Sequence, residues 1–219
     1  MKHRGFAGFV WLCVLPLAAL LMPSLALAEP PDLDAADIRK GERELEIDVW
    51  RGDHVWLVRP ELSVGLTDRL TLQLQTDFGR EHGEAAKVRD LSIQFAVAHS
   101  DDAQVGLAAE AGVDPSRRKL RGEVFLFGSH EAGPWRADAD LGLEQEGRET
   151  GFVYAWRLRR ALGSRWSAAV EGGGGGAQHF AGATFSALLR KPAVELRLGW
   201  LFDLSGRDDL ARVGFAVEL

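Results

Sequence analysis

The side chains that most often carry out chemistry do not form a recognisable catalytic set in this sequence. His99 and Ser100 are adjacent, so in an extended strand their side chains would point to opposite faces. Asp53 and His54 likewise lack the intervening residue that a dyad on one strand face requires. Histidines without partners in connecting segments are usually solvated rather than catalytic. We therefore predict that the chain is not an enzyme and has no catalytic residues.

Metal and phosphate sites are equally unsupported. Cys13 is the single cysteine, and it lies in an N-terminal segment that we predict to be removed, so no cysteine would be left for a zinc cluster. The glycine run from Gly172 to Gly176 is not followed by Lys-Ser or Lys-Thr, as a phosphate-binding loop requires. A flexible loop or a bulged strand end is the simpler interpretation of this run. We predict no cofactor and no metal.

Alternation of apolar residues with small or polar residues dominates the chain from Arg43 onward. It is clearest at the C-terminus, where Val213, Phe215, Val217 and Leu219 occupy every second position. This period of two is that of a β-strand with one apolar and one polar face. The same alternation occurs within 43–49, 56–66, 70–78, 91–97, 104–113, 135–144, 152–159 and 194–203, and less clearly within 120–128, 166–172 and 178–189.

Charged side chains occupy many of the polar positions of these segments, and carboxylates outnumber arginines there. The excess is concentrated on the first segment, where Glu44, Glu46 and Asp48 share one face. Opposite charges on this face could pair and brace a barrel wall, or the face could line a narrow water-filled path that favours cations or neutral polar solutes. The predicted lumen-facing residues are Glu44, Glu46, Asp48, Arg59, Glu61, Asp77, Glu110, Arg136, Asp138, Asp140, Arg157, Arg159, Glu195 and Arg197.

The N-terminus has the features of a secretory signal peptide. A basic start is followed by a largely apolar stretch from Phe6 to Leu21 and by the small-residue pattern of Ala26 to Ala28. We predict a signal peptide at residues 1–28, a Pro-rich acidic periplasmic lead-in at 29–42, and a barrel domain at 43–219. Removal of Lys2 and Arg4 makes the mature chain more acidic than the formal charge of −6 of the full chain, which argues against nucleic acid as a partner.

The last residues resemble the C-terminal assembly signal of Gram-negative outer-membrane β-barrels, in which a basic residue and a glycine precede two apolar or aromatic residues. Arg212, Gly214, Val217 and Leu219 match those places, with Phe215 between them and Leu in place of the usual final Phe. The resemblance implies location in the cell outer membrane, contact with outer-membrane lipid, and insertion by the barrel-assembly machinery. The string from Gly65 to Leu72 also resembles turns in proteobacterial porin-like proteins, a group that includes proteins linked to aromatic-compound degradation.

These patterns predict an all-β fold, a single antiparallel up-and-down transmembrane barrel of about twelve strands, with ten or fourteen as the nearest alternatives. A soluble β-sandwich would also alternate apolar and polar residues, but it does not explain a strand that reaches the last residue. Periplasmic turns are predicted at 67–69, 99–103, 130–134, 161–165 and 190–192, and outer loops at 51–54, 79–90, 114–119, 145–151, 173–177 and 205–210. Two interfacial rows of aromatic side chains are expected from Trp135, Trp166, Trp56, Phe78, Phe152, Trp200 and Phe202.

For function, the patterns favour porin-like passage of small polar or cationic solutes through the barrel. The alternative is a structural or accessory outer-membrane barrel that is plugged by its own charged side chains and serves as a scaffold for a partner.

Overall fold

The computed structural model describes residues 40–81, 84–100, 102–114, 119–176, 178–190, 193–206 and 209–219. The predicted signal peptide and nearly all of the predicted lead-in lie outside these ranges. No helix in the described part of the chain is long and apolar enough to cross a membrane. The strands are β1 (Arg43–Arg51), β2 (Val55–Thr67), β3 (Leu70–Glu81), β4 (Glu84–His99), β5 (Ala103–Asp114), β6 (Lys119–Ala132), β7 (Trp135–Glu146), β8 (Glu149–Ala161), β9 (Trp166–Gly175), β10 (Gln178–Arg190), β11 (Ala193–Asp203) and β12 (Leu210–Glu218).

The twelve strands form one closed antiparallel barrel in which each strand pairs with its neighbours in sequence. The barrel closes where β1 pairs with β12, in a register that runs from Glu44 opposite Glu218 to Arg51 opposite Ala211. Closure leaves no open sheet edge, so the backbone groups at the ends of the sheet are paired. The predicted all-β up-and-down barrel is therefore confirmed with twelve strands, and the soluble sandwich is excluded.

The two faces of the wall have opposite character. Apolar side chains such as Leu198, Phe202 and Val213 are exposed on the outer face. Polar and charged side chains such as Asp77 and Arg212 are buried on the inner face. A soluble domain buries its apolar face, so this inverted arrangement is the one expected for a wall that faces lipid.

Three connections predicted as outer loops are mostly strand instead, and one of them, 145–151, is reduced to a two-residue turn between Glu146 and Glu149. The predicted loop at 79–90 is mostly paired, because β3 continues to Glu81 and β4 begins at Glu84 in the same hairpin. The predicted loop at 173–177 is largely occupied by the end of β9. Strand pairing depends on backbone hydrogen bonds, so it continues past the point where the side chains stop alternating.

Gly172 to Gly175 of the glycine run belong to β9 and Gly176 begins the following turn, so most of the run is paired strand and not a flexible loop. Its residues pair with β8 on one side and with β10 on the other. A side chain at Gly172 would meet the ring of Trp156, which comes from the neighbouring strand. The small residues of β9 therefore leave room for the larger side chains of β8.

Candidate functional site: the barrel interior

The inner face of the wall is the candidate functional site, because the polar positions of neighbouring strands come into register there. Asp48 lies opposite Arg59, Glu46 lies opposite Glu61, and Asp138 lies opposite Arg157. The same face carries the other predicted lumen-facing positions, Glu44, Asp77, Glu110, Arg136, Asp140, Arg159, Glu195 and Arg197. That these residues line a path for solutes stays a prediction.

Arg212 is the centre of the first cluster of charges. Its guanidinium forms ion pairs with Asp48, with Glu46 at 3.4 Å and with Glu171 at 3.8 Å. The same guanidinium lies over the ring of Trp50, 4.7 Å from the ring centroid, which is a cation–π geometry. One side chain of β12 thereby connects β1 and β9 across the interior.

The first cluster extends on both sides of Arg212. Arg157 donates a hydrogen bond of 3.0 Å from Nε to the carboxylate of Glu171, which also accepts one from Thr184. Arg197 pairs with Glu46 and, at 3.2 Å, with Glu195. Opposite charges therefore alternate along the inner face from β8 through β12 to β1.

The carboxylates of β1 are compensated to a larger degree than the sequence suggests. Glu46 pairs with Arg197 and Arg212, and Asp48 pairs with Arg212. These arginines lie more than 150 positions away in the chain, so only barrel closure brings them to β1. The predicted concentration of negative charge on the first strand is offset by this pairing.

A second ion pair lies on β2 and β3. Arg59 donates from Nε to Asp77 Oδ1 at 2.8 Å and from a terminal nitrogen to Asp77 Oδ2 at 3.1 Å. Both side chains are almost completely buried. The two bonds give the bidentate geometry that makes arginine–carboxylate pairs strong and specific.

A third cluster lies on the wall formed by β5, β6 and β7. Glu110 is in register with Glu123, and Glu123 with Glu144, so three carboxylates occupy neighbouring positions. Arg121 bridges Glu123 and Glu144, with 3.1 Å between its Nε and the Glu144 carboxylate. On the inner face of these strands the five carboxylates of Glu110, Glu123, Glu144, Asp138 and Asp140 outnumber the two arginines, Arg121 and Arg136, which leaves an acidic excess on this wall.

Sequence reasoning missed Arg121, Glu123 and Glu171 as inner-face residues. They belong to β6 and β9, whose alternation is less regular than that of the other strands. The pairing with a neighbouring strand of regular alternation could have identified Glu123. It must share a face with Glu144 once β6 and β7 form a hairpin.

The inner face also carries apolar side chains, which the predicted polar interior did not include. One buried cluster consists of Trp50, Leu57, Phe180, Leu201 and Leu210. A second consists of Ala108 and Phe127, with Phe125 packed against it. Leu57 and Leu201 occupy positions that alternate with outward-facing residues, so strand phase rather than hydrophobicity determines their side.

Side chains fill much of the interior. Each of the twelve strands contributes at least one buried inner-face side chain, namely Trp50, Leu57, Thr71, Gln94, Ala108, Phe127, Asp138, Ala155, Glu171, Phe180, Leu201 and Leu210. Between β3 and β4 part of this filling is uncharged, because Gln94 donates a hydrogen bond to Gln73. Any path through the barrel is consequently narrow at these levels.

A cavity of about 230 Å³ lies at the end of the barrel where the β6–β7 and β8–β9 turns meet. Arg159, Arg136 and Glu195 line it together with Ser186 and Trp166. Arg136 is held by Asp138 at 2.6 Å. The cavity therefore carries charges of both signs at the predicted periplasmic mouth.

Acidic groups, histidines and the predicted assembly signal are the remaining candidate site residues. Within the described ranges, no group of three or more His, Cys, Asp or Glu could hold a metal ion. His130 Nδ1 lies 3.1 Å from the Asp102 carbonyl oxygen, and His179 Nδ1 lies 3.1 Å from the Tyr154 hydroxyl.

Among the residues of the predicted assembly signal, Arg212 and Gly214 are on the inner face and Phe215 and Val217 are on the outer face. Leu219 donates its N–H to the Arg43 carbonyl at 2.9 Å. Their role in assembly stays a prediction.

Comparison with known proteins gives matches at the level of structure. No protein-family model matches the chain, and neither does any curated protein. The KdgM porin, solved in complex with disordered oligogalacturonate, has a TM-score of 0.69 at 9% identity, over 80% of this chain and 99% of that one. The NanC porin has a TM-score of 0.66 at 8% identity, over 81% and 100%. An outer-membrane channel from Pseudomonas putida F1 has a TM-score of 0.62 at 11% identity, over 87% and 99%. The chain is thus similar in fold to small outer-membrane porins and channels.

Proposed function

We propose that this protein is an outer-membrane barrel for porin-like passage of small polar or cationic solutes, without enzymatic activity. The observation that carries the proposal is the inverted wall, with an apolar outer face and an inner face of paired charges in a closed barrel. Lipid would cover the outer face, and closure would satisfy the backbone groups within the membrane. The fold shared with porins and channels supports the same conclusion.

In this proposal, the polar inner face replaces part of the hydration of a passing solute. Acidic groups along a pore lower the barrier for cations and raise it for anions. The carboxylate-rich wall of β5 to β7 would supply this preference, because the acids of β1 are compensated by arginines. The narrow interior would restrict passage to small solutes.

Two measurements test the proposal on the purified, refolded protein. We expect discrete conductance steps in planar lipid bilayers and swelling of liposomes in an isotonic monosaccharide solution. Protein that is boiled before reconstitution is the matched control, and it should give neither signal. A folded wild-type barrel that neither conducts nor admits the monosaccharide would contradict the proposal.

The plugged scaffold is the second candidate, and the buried inner face specifically favours it. Charged residues such as Arg59, Asp77 and Arg212 are nearly inaccessible to water in the structure. A barrel that is filled in this way can serve as a rigid support for a partner. Stable folding in membranes together with absent conductance would support this function instead of passage.

A further inference from the structure

The apolar cluster of five inner-face residues lies at one end of the interior. Trp50 is next to the last residue of β1, and Leu210 is the first residue of β12. Leu57, Phe180 and Leu201 occupy inner positions close to the same ends of β2, β10 and β11. This end is opposite the chain termini, and it would be the outer mouth of the barrel if the termini are periplasmic.

Trp50 is the largest side chain of this cluster, and a charged side chain next to it holds it in place. Trp50 is in register with Arg212, whose guanidinium lies over the indole ring. Arg212 is in turn fixed by Asp48, Glu46 and Glu171. A flexible aromatic side chain would not limit a pore well, but this indole is held between an apolar cluster and an ion-pair network.

Three polar atoms at this position have no hydrogen-bond partner among the described residues. They are Trp50 Nε1, Asp48 Oδ1 and Arg212 Nε. The side chains that carry them are only 1–3% exposed. Buried polar atoms are normally paired, so three unpaired atoms in one cluster need an explanation.

We propose that Trp50, held by Arg212, forms the constriction that sets the size limit for passing solutes. The indole and the surrounding apolar side chains narrow this part of the lumen. Water or the hydroxyl groups of a solute beside the indole would supply the partners that the two N–H groups and the carboxylate oxygen lack. Hydrophobic constrictions of this kind control passage in channels. The inference rests on the proposed passage function and names the residue that regulates it.

The test compares two tryptophans of opposite orientation on adjacent strands. Trp50→Ala removes the buried indole, whereas Trp56→Ala removes an indole that is 40% exposed on the outer face. Liposome swelling is measured with a monosaccharide and with a trisaccharide, together with single-channel conductance. We expect Trp50→Ala to give a several-fold rise in conductance and in the trisaccharide-to-monosaccharide rate ratio. Trp56→Ala should match the wild type in both.

Folding is checked separately for each variant by its heat-dependent shift on gels. If Trp50→Ala does not fold, Leu201→Ala opens the same cluster without removing the ring that contacts Arg212. This variant should give the same direction of change in both measurements.

The outcomes separate this inference from the proposed function. A conducting wild type with an unchanged size limit in the folded variants overturns the constriction but not passage. A silent wild type with a conducting Trp50→Ala supports the constriction and contradicts passage through the wild-type barrel. Silence of the wild type and of both cluster variants overturns the constriction, because the block must then lie elsewhere.

Discussion

Arg212 shows how a single residue can serve several parts of the interior. Its guanidinium pairs with carboxylates of β1 and β9 and lies over the ring of Trp50. An arginine can do this because its planar group offers several donors and an aromatic-compatible face at once. A lysine at this position could supply the positive charge but not the planar, forked arrangement of N–H donors.

We expect Arg212→Met to destabilise the barrel strongly. The variant leaves the Asp48 carboxylate buried without its arginine, and loss of one partner of a buried ion pair costs about 3–5 kcal/mol. The free energy of unfolding in lipid vesicles, measured by urea titration, checks this. Arg148→Met, at an exposed position in the turn after β7, is the control and should change it little.

A double variant tests whether the lost stability comes from the buried Asp48 carboxylate that Arg212 no longer pairs with. Asp48→Asn together with Arg212→Met removes both charges, so it should recover part of the stability lost in Arg212→Met. Equal stability of Arg212→Met and Arg148→Met would show that the pair contributes nothing.

Individual strands differ in how their inner charges are balanced. On β1, arginines of β11 and β12 compensate Glu46 and Asp48. On β5 to β7, Arg121 is the bridging cation for two of the three neighbouring glutamates. The wall of β5 to β7 is therefore the better candidate for a cation preference, although the acidic run on β1 is more conspicuous in the sequence.

Glu110→Gln combined with Glu123→Gln should reduce the preference for cations. The change removes two negative charges from the β5–β7 wall while Arg121 keeps Glu144 as a partner. Reversal potentials across a salt gradient measure the permeability ratio of cation to anion. Glu218→Gln, at the exposed end of β12, is the control for loss of a carboxylate outside this wall. A ratio unchanged from the wild type would refute the assignment of selectivity to β5–β7.

β12, the strand that closes the barrel, has residues that suit the inner face and residues that suit the outer face. A side chain at Gly214 would overlap the carboxylate of Asp48, so glycine there leaves room for the Asp48–Arg212 pair. Phe215 and Val217 are on the outer face. The residues of the predicted assembly signal thus also have packing roles within the barrel.

Phe215→Asp should prevent normal assembly. It would put a charge on the lipid face, where a basic residue at the middle of the membrane costs about 2–4 kcal/mol and an acidic residue costs less. The amount of heat-shifted barrel in outer-membrane fractions measures assembly. Phe215→Leu keeps an apolar side chain and serves as the matched control. Wild-type levels of assembled Phe215→Asp would show that lipid does not contact this position.

At the scale of the whole molecule, the barrel separates two environments with one wall. The outer face carries exposed apolar and aromatic side chains, including Trp135, Trp166 and Trp200. The inner face carries ion pairs that would be unstable in lipid without their partners. This separation explains why the chain needs closure between β1 and β12 before either face is in its proper environment.

We expect the mature protein to begin at Glu29 and to fractionate with outer membranes. N-terminal sequencing of the protein in that fraction tests the predicted cleavage after Ala28. A shift in gel mobility between unboiled and boiled samples tests the closed barrel in membranes. Recovery as a periplasmic protein without such a shift would contradict the outer-membrane assignment.

The sequence by itself determined the fold class and predicted about twelve strands, and the closed barrel of the structure fixes that number at twelve. Alternation with a period of two is a local property of the chain, and it continues to the C-terminal strand that closes the barrel. The outward positions of Leu198, Phe202 and Val213 follow directly from this phase. Strand ends were less predictable, because backbone pairing in the β3–β4 hairpin extends into polar sequence.

Only the tertiary structure decided which inner charges are balanced and which part of the interior is closed. Glu46 and Arg197 are 151 positions apart, and closure of the ring of strands brings them together. Likewise, Trp50, Phe180 and Leu210 form one cluster although they come from three separated strands. Local periodicity specifies the face of each side chain, but the partners on that face depend on register and on the curvature of the closed barrel.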